Sequence, residues 1–319
     1  MAKKSLKLTE IPTPDFDLAM TLDSGQVFHW EKIGDRFYGT IGELAIWVEQ
    51  LGNVLLVGGD GMPSPSDLVA NYFALDHPLA EICRSFPDDP IMNAARSYCR
   101  GLRIIRQPRW ECLATFICSS MKQVAHIRQI SRKLRERFGV RRKIENHELF
   151  TYPRPARLAG SSEKALRECA LGYRAKNLLA TAQLVESGAV DLEKWSALSD
   201  VDLRANLCEL PGVGAKVANC VMLFAYERLR AFPIDVWIER VLKKKYFPRA
   251  RKLNAVRLRA FTEEYFGEHG GYAQQYLFHH ARMASRKRAI EVNRPYLART
   301  GSKVGAAHRT ARNLSVPPR

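Results

Sequence analysis

The chain has no run approaching the roughly 18 uninterrupted apolar residues that cross a bilayer. Its opening, MAKKSLKLTE, lacks the apolar core of a secretory signal. A soluble, intracellular protein with no membrane partner is expected. Cysteine is arranged for neither metal nor disulfide chemistry: Cys83, Cys99, Cys112, Cys118, Cys169, Cys208 and Cys220 include no CxxC pair, and none lies beyond Cys220. Their odd number and apolar surroundings suit reduced, structural thiols. Acidic residues are scarce too. Against 50 Lys and Arg stand 33 Asp and Glu, a formal net charge of +17 over 319 residues, which suits a polyanionic partner such as nucleic acid.

What is present is clustered. Arg100 to Lys143 holds 13 basic and 2 acidic residues, and Arg286 to Arg319 holds 9 and 1. Short β-branched and aromatic runs (QVFHW, RFYGTI, LAIWVE, NVLLVGG) separated by Gly34-Asp35, Gly42-Glu43 and Gly52-Asn53 predict an antiparallel meander. From Pro65 the apolar spacing turns helical, with Gly101 expected as a helix C-cap. A long helical stretch follows from Trp110, broken at Ser119-Ser120. The expected fold is α+β: an antiparallel sheet domain with flanking helices at 1–100, a mostly helical domain at 101–288, and a basic, disordered tail at 289–319.

LPGVGAKVANC (210–220) has the form of a helix-hairpin-helix, in which Gly212 and Gly214 allow a tight turn. The N–H groups of that turn and of the next helix's first residues have no internal partner and offer a phosphate site that reads no sequence. Lys216 enters the first turn of that helix, where the dipole and partial burial lower an amine's pKa and leave a neutral nucleophile. The same lysine could also simply reach a phosphate. Asp235, in FPIDVWIERVL, is placed to cap the next helix as an ionised carboxylate. Capping alone would account for it, and so would a carboxylate facing a developing positive charge.

Together with SGQVFHW (24–30), RQPRWECLATFICSS (106–120), LGYRAK (171–176) and YAQQYLF (272–278), these motifs make the chain resemble the 8-oxoguanine DNA glycosylases of the helix-hairpin-helix superfamily. The resemblance spans residues from about 20 to 280 and implies a bifunctional glycosylase and lyase acting on duplex DNA containing 8-oxoguanine. By it, Lys216 attacks C1′ of the damaged nucleotide and Asp235 stabilises the oxocarbenium character that develops. Gly25 offers a carbonyl to the N7–H of the damaged base, Cys220 and Phe278 sandwich the ring, Gln274 reads its Watson–Crick edge, and Pro233 lines the pocket. Tyr173 wedges into the stack, Arg174 lies beside the DNA, and Gly212, Gly214 and Val217 meet phosphates. The carbonyls of Cys208, Leu210 and Val213 are implied to hold a monovalent cation. No other cofactor is implied, and the missing cysteines after Asp235 exclude the iron–sulfur loop of some relatives.

Three positions depart from the family pattern. Met121 and His126 stand where asparagine and arginine read the base opposite the lesion, and Trp237 replaces a phosphate-contacting histidine. Relaxed opposite-base specificity is the expectation. The protein is expected to act as a monomer associated with DNA, in a bacterial cytoplasm or a nucleus. A DNA-binding module without catalysis and a glycosylase for another damaged base are the rival readings.

Overall fold

The computed structural model describes residues 9–59, 65–250 and 252–286. The tail expected at 289–319 lies outside the described residues.

Strands β1 (Thr9–Pro12), β2 (Glu31–Ile33), β3 (Arg36–Ile41), β4 (Leu44–Leu51) and β5 (Val54–Gly59) form one antiparallel sheet in the order β1-β5-β4-β3-β2. The three two-residue turns fall where the sequence places them. QVFHW is not a strand. Its backbone pairs with no described strand, and the Gln26 side chain ties it to the segment at 103–105 instead, donating to Arg103 O and accepting from Ile105 N, each at 2.8 Å. The actual first strand, β1, and helix α1 (Leu18–Asp23), capped by Asp17, carry no such run.

In β4 the run Ala45, Ile46, Trp47, Val48 is buried throughout, because both faces of the sheet are covered. Ile46 and Val48 meet Leu18, Leu22 and the Val69, Tyr72 and Phe73 of α2 (Ser66–Tyr72) and its end. Tyr38, Ala45 and Trp47 meet Ile144 of a hairpin, β6 (Arg141–Ile144) and β7 (His147–Phe150). That hairpin, RRKIENHELF, starts at the end of the basic stretch and has no apolar alternation to announce it.

The helical core takes in α3 (Leu79–Arg84), α4 (Pro90–Tyr98), α5 (Arg109–Ser119), α6 (Val124–Phe138), the short α7 (Pro155–Ala159) and α8 (Glu163–Leu166), α9 (Arg174–Glu186), α10 (Asp200–Glu209), α11 (Ala215–Ala225), α12 (Val236–Val241) and α13 (Ala255–Tyr265). Residues 270–279 are helical as well. The break at Ser119-Ser120 is real. Cys99, not Gly101, caps α4; Gly101 sits at φ +79, where a Cβ would fall 2.7 Å from Asp17 N, so it serves a close backbone approach. No helix among the described residues is long and apolar enough to cross a membrane.

The basic stretch at 100–143 does not form the open cationic face its composition suggests. Arg106, Arg109, Arg128, Arg137, Arg141 and Arg142 sit against Asp76 and Glu227, Glu193, Asp23, Glu168, Glu148 and Glu43, all from outside the stretch. Arg135 is buried against Glu111 and also donates to Thr40 Oγ1 at 2.8 Å and Phe150 O at 3.0 Å, tying α5, α6, β3 and β7 together.

Candidate active site

Helices α10 and α11 flank the LPGVG loop as the motif predicts. Gly212 adopts φ +82, and a Cβ there would lie 2.8 Å from Asn177 Cβ, so glycine is required twice over. Gly214 plays a different part from the one expected. Its backbone is extended (φ −102, ψ −179) and an added Cβ would meet nothing within 4 Å, so its small size leaves the end of α11 open rather than allowing the turn. No side chain caps α11. The N–H groups of Ala215, Lys216 and Val217, in the first turn, therefore have no intrahelical acceptor and no side-chain cap.

Lys216 is the second residue of α11 and half-buried. Its Nζ donates to Ser119 Oγ at 3.2 Å and lies 5.0 Å from the centroid of the Phe116 ring, which stacks on Phe224. Ser119 Oγ in turn donates to Phe116 O at 2.7 Å. Its one proton is thus committed, and only a lone pair faces the amine.

Asp235 caps α12, accepting from Ile238 N at 2.8 Å. Capping was expected to hold it firmly ionised. Burial instead pushes its carboxyl above the usual carboxylate range, with the Ile238 N–H and the Lys216 charge opposing the rise. Cys220, one turn after Lys216, has its thiol pushed up to about 11 by burial, against the opposing Lys216 charge. The Asp235 carboxyl and the Cys220 thiol thus both feel the Lys216 charge.

A second group of expected residues converges from the two ends of the described chain. Gly25 adopts φ +89 directly after α1. Ser24 O accepts from Gln275 Nε2 at 3.0 Å, which docks the Gly25 turn on the helical stretch carrying Gln274. Gln274 is 4% exposed, and its Oε1 has no hydrogen-bond partner among the described residues. A buried, unpaired amide oxygen is costly unless a ligand completes it. Pro233 is buried, and Phe278 is half-buried against the helical core that contains Cys220.

The residues expected to meet DNA divide. Met121 is 85% exposed at φ +56 on the loop after α5, Tyr173 is 59% exposed, and His126 is exposed in the first turn of α6. Arg174 is not displayed: it is 5% exposed, and its guanidinium donates to Ser120 O (2.7 Å from Nε) and Leu171 O (3.2 Å). It pins the loop that carries Met121. Sequence reasoning treated Ser119 and Ser120 only as a helix break, and it missed Asn219, 8% exposed, whose Oδ1 is likewise without a partner among the described residues.

The 8-oxoguanine DNA glycosylase N-terminal domain matches residues 9–113, and the HhH-GPD superfamily base excision DNA repair protein matches residues 114–264. The N-glycosylase/DNA lyase OGG1 of Arabidopsis thaliana is 30% identical over 295 residues, 86% of this chain and 78% of that protein. The chain belongs to the 8-oxoguanine DNA glycosylase family. A probable N-glycosylase/DNA lyase of Methanothermobacter thermautotrophicus is 27% identical over 85% of this chain and 95% of its own length. The solved 8-oxoguanine glycosylase/lyase of Clostridium acetobutylicum, in complex with double-stranded DNA containing cytosine opposite 8-oxoG, superposes with a TM-score of 0.81 at 28% identity, covering 88% of this chain and 99% of that one. Of the family residues named from sequence, Gly25 falls in the first matched region and Lys216 and Asp235 in the second, whereas Gln274 and Phe278 lie beyond both.

Proposed function

We propose that this protein excises 8-oxoguanine from duplex DNA and then nicks the strand, using Lys216 as a Schiff-base nucleophile. The observation that carries the reading is the half-buried amine of Lys216, held by Ser119 Oγ and felt electrostatically by the Asp235 carboxyl. The neutral amine attacks C1′ as the bond from C1′ to the base breaks, and the base leaves with that electron pair and takes up a proton. The Asp235 carboxylate stabilises positive charge at the sugar while the bond breaks and accepts a proton from the attacking nitrogen. The C1′–O4′ bond then breaks, O4′ keeping the electron pair and taking up a proton while the nitrogen lone pair closes the iminium; loss of a C2′ proton then expels the 3′ phosphate with its bonding pair.

The lesion must leave the helix first, which costs roughly a few kcal/mol. Gly25, Cys220, Pro233, Gln274 and Phe278 form the pocket it enters, where the unpaired Gln274 Oε1 gains a partner. Tyr173 and Met121 fill the stack it vacates, and the free N–H groups around Gly212, Gly214 and Val217 hold phosphate. His126 and the loop pinned by Arg174 face the opposite base. The carbonyls of Cys208, Leu210 and Val213, neutral oxygens at the end of α10, suit a monovalent cation; Leu210 O already accepts from Val213 N at 3.1 Å and keeps one lone pair. The reaction as written needs no other cofactor, and one chain holds every residue it uses.

Borohydride trapping tests the reading. A covalent protein–DNA band on an 8-oxoguanine duplex, absent on undamaged duplex, supports it. Binding without trapping would leave a DNA-binding module, and trapping only on another lesion would reassign the substrate.

A further inference from the structure

Eight arginines of 100–143 are paired with carboxylates, and a denser group of free cations lies elsewhere. Between Val236 and Thr262 the sequence has nine basic residues and one acid, Glu239. Lys243 pairs with that acid at 2.5 Å and Arg259 pairs with Glu263 at 2.9 Å. Lys244, Lys245, Arg249 and Lys252 are exposed and make no ion pair among the described residues. Arg240 lies 5.7 Å from the centroid of the Trp237 ring, and Arg257 lies 5.6 Å from that of Phe247.

The surface is stiffly mounted. Ile238, Leu242 and Leu258 are buried beneath it. Tyr246 and Phe247 root the lysine-rich turn in a knot of rings with Phe261, Tyr265 and Phe266, and Tyr246 OH donates to Asp89 Oδ2 at 3.1 Å. Solvated lysines kept for solubility need no such base. The surface also starts at the site: Asp235 caps the helix that leads into it. Nine helical residues from Asp235 to Lys244 rise roughly 14 Å, about four base-pair steps of 3.4 Å.

We propose that Arg240, Lys244, Lys245, Arg249 and Lys252 form a phosphate-binding surface for the DNA backbone flanking the lesion, within about four base pairs of it. This rests on the reading that the Lys216 centre takes a nucleotide from duplex DNA. The contact is to backbone charge, so it supplies affinity and register but no lesion preference.

The test is the salt dependence of binding to lesion and undamaged duplexes by the full chain and by the triple variant Lys244→Gln, Lys245→Gln, Arg249→Gln. Each lost phosphate contact lowers the slope of log K against log salt by about 0.9, so the slope is expected to fall by about 2 to 3, equally on both duplexes. The charge-matched variant Arg132→Gln, Arg137→Gln, Arg141→Gln removes side chains already paired with acids and is expected to keep the wild-type slope. An unchanged slope in the first variant, or equal losses in both, overturns the proposal. In the wild-type protein, bound duplex is expected to shield Lys244 and Lys245 from amine acetylation while Lys133 stays reactive; the absence of such shielding also overturns it. Binding and shielding are read without catalysis, so failure of the Lys216 chemistry appears separately, as lost trapping in the wild-type protein.

Discussion

Lys216 Nζ donates to Ser119 Oγ across 3.2 Å, and the Ser119 hydroxyl is already committed as donor to Phe116 O at 2.7 Å. The serine can therefore only accept from the amine, and it fixes where the amine nitrogen sits. Ser119→Ala is expected to slow single-turnover excision about tenfold, the worth of one positioning hydrogen bond near 1.4 kcal/mol, without changing duplex affinity. Ser119→Thr, which restores the hydroxyl, should recover most of the rate. Equal losses in both variants, or a loss confined to affinity, would assign Ser119 to packing alone.

Burial raises the Asp235 carboxyl above its ordinary value. A carboxyl raised in the folded state adds stability at pH below its unfolded value, and that contribution is lost as pH rises through the folded value. Asp235→Asn keeps the cap on Ile238 and removes the buried charge. It should therefore melt higher than wild type at neutral pH, with the gain vanishing in acid below the ordinary carboxylate range. The same variant should lose about 10²- to 10³-fold in excision rate. Thermal melting across pH checks the first claim, and a destabilised variant at neutral pH would contradict it.

In the proposed function Met121 and His126 meet the opposite base, and they bring little hydrogen-bond demand, since a thioether accepts weakly and one imidazole can donate to several acceptors. Losing one bidentate contact removes roughly 1–3 kcal/mol of discrimination. Single-turnover excision on four duplexes differing only opposite 8-oxoguanine should show a cytosine preference below about a hundredfold, or about 2.7 kcal/mol. A larger preference would mean that neighbouring groups such as Lys122 or Gln123 read that base.

The buried pair of Arg135 and Glu111 joins the sheet to α5 and α6. Glu111 is raised by burial and held down by Arg135, and His29, 3.5 Å from the same carboxylate oxygen, has its pKa lowered by burial. Arg135→Met strands a buried carboxyl and should cost about 3–5 kcal/mol in urea unfolding. A cost below about 1 kcal/mol would show that water reaches the pair.

The parts of the site legible in sequence are the local ones. The hairpin, Lys216 and the Asp235 cap each rest on spacings of a few residues, and helix-terminus chemistry places them without knowledge of the rest of the fold. Ser119 was illegible because its partner is 97 residues away, and the β6–β7 cover because its strands are charged and offer few apolar side chains, chiefly Ile144 and Leu149. Arg174 shows the same limit, since nothing in LGYRAK says that its guanidinium is consumed by Ser120 O. Charge counting misled for a related reason. It found the dense stretch at 100–143, whose acids come from distant segments, and passed over 236–262, where the compensating acids are missing.

The central claim is that Lys216 forms the covalent bond to DNA. Borohydride trapping and excision, measured side by side for wild type and Lys216→Gln on an 8-oxoguanine duplex, address it directly. The variant should bind the lesion, because the backbone donors of α11 remain, yet give no trapped band and no excision. A variant that still excises 8-oxoguanine at near the wild-type rate would contradict the account.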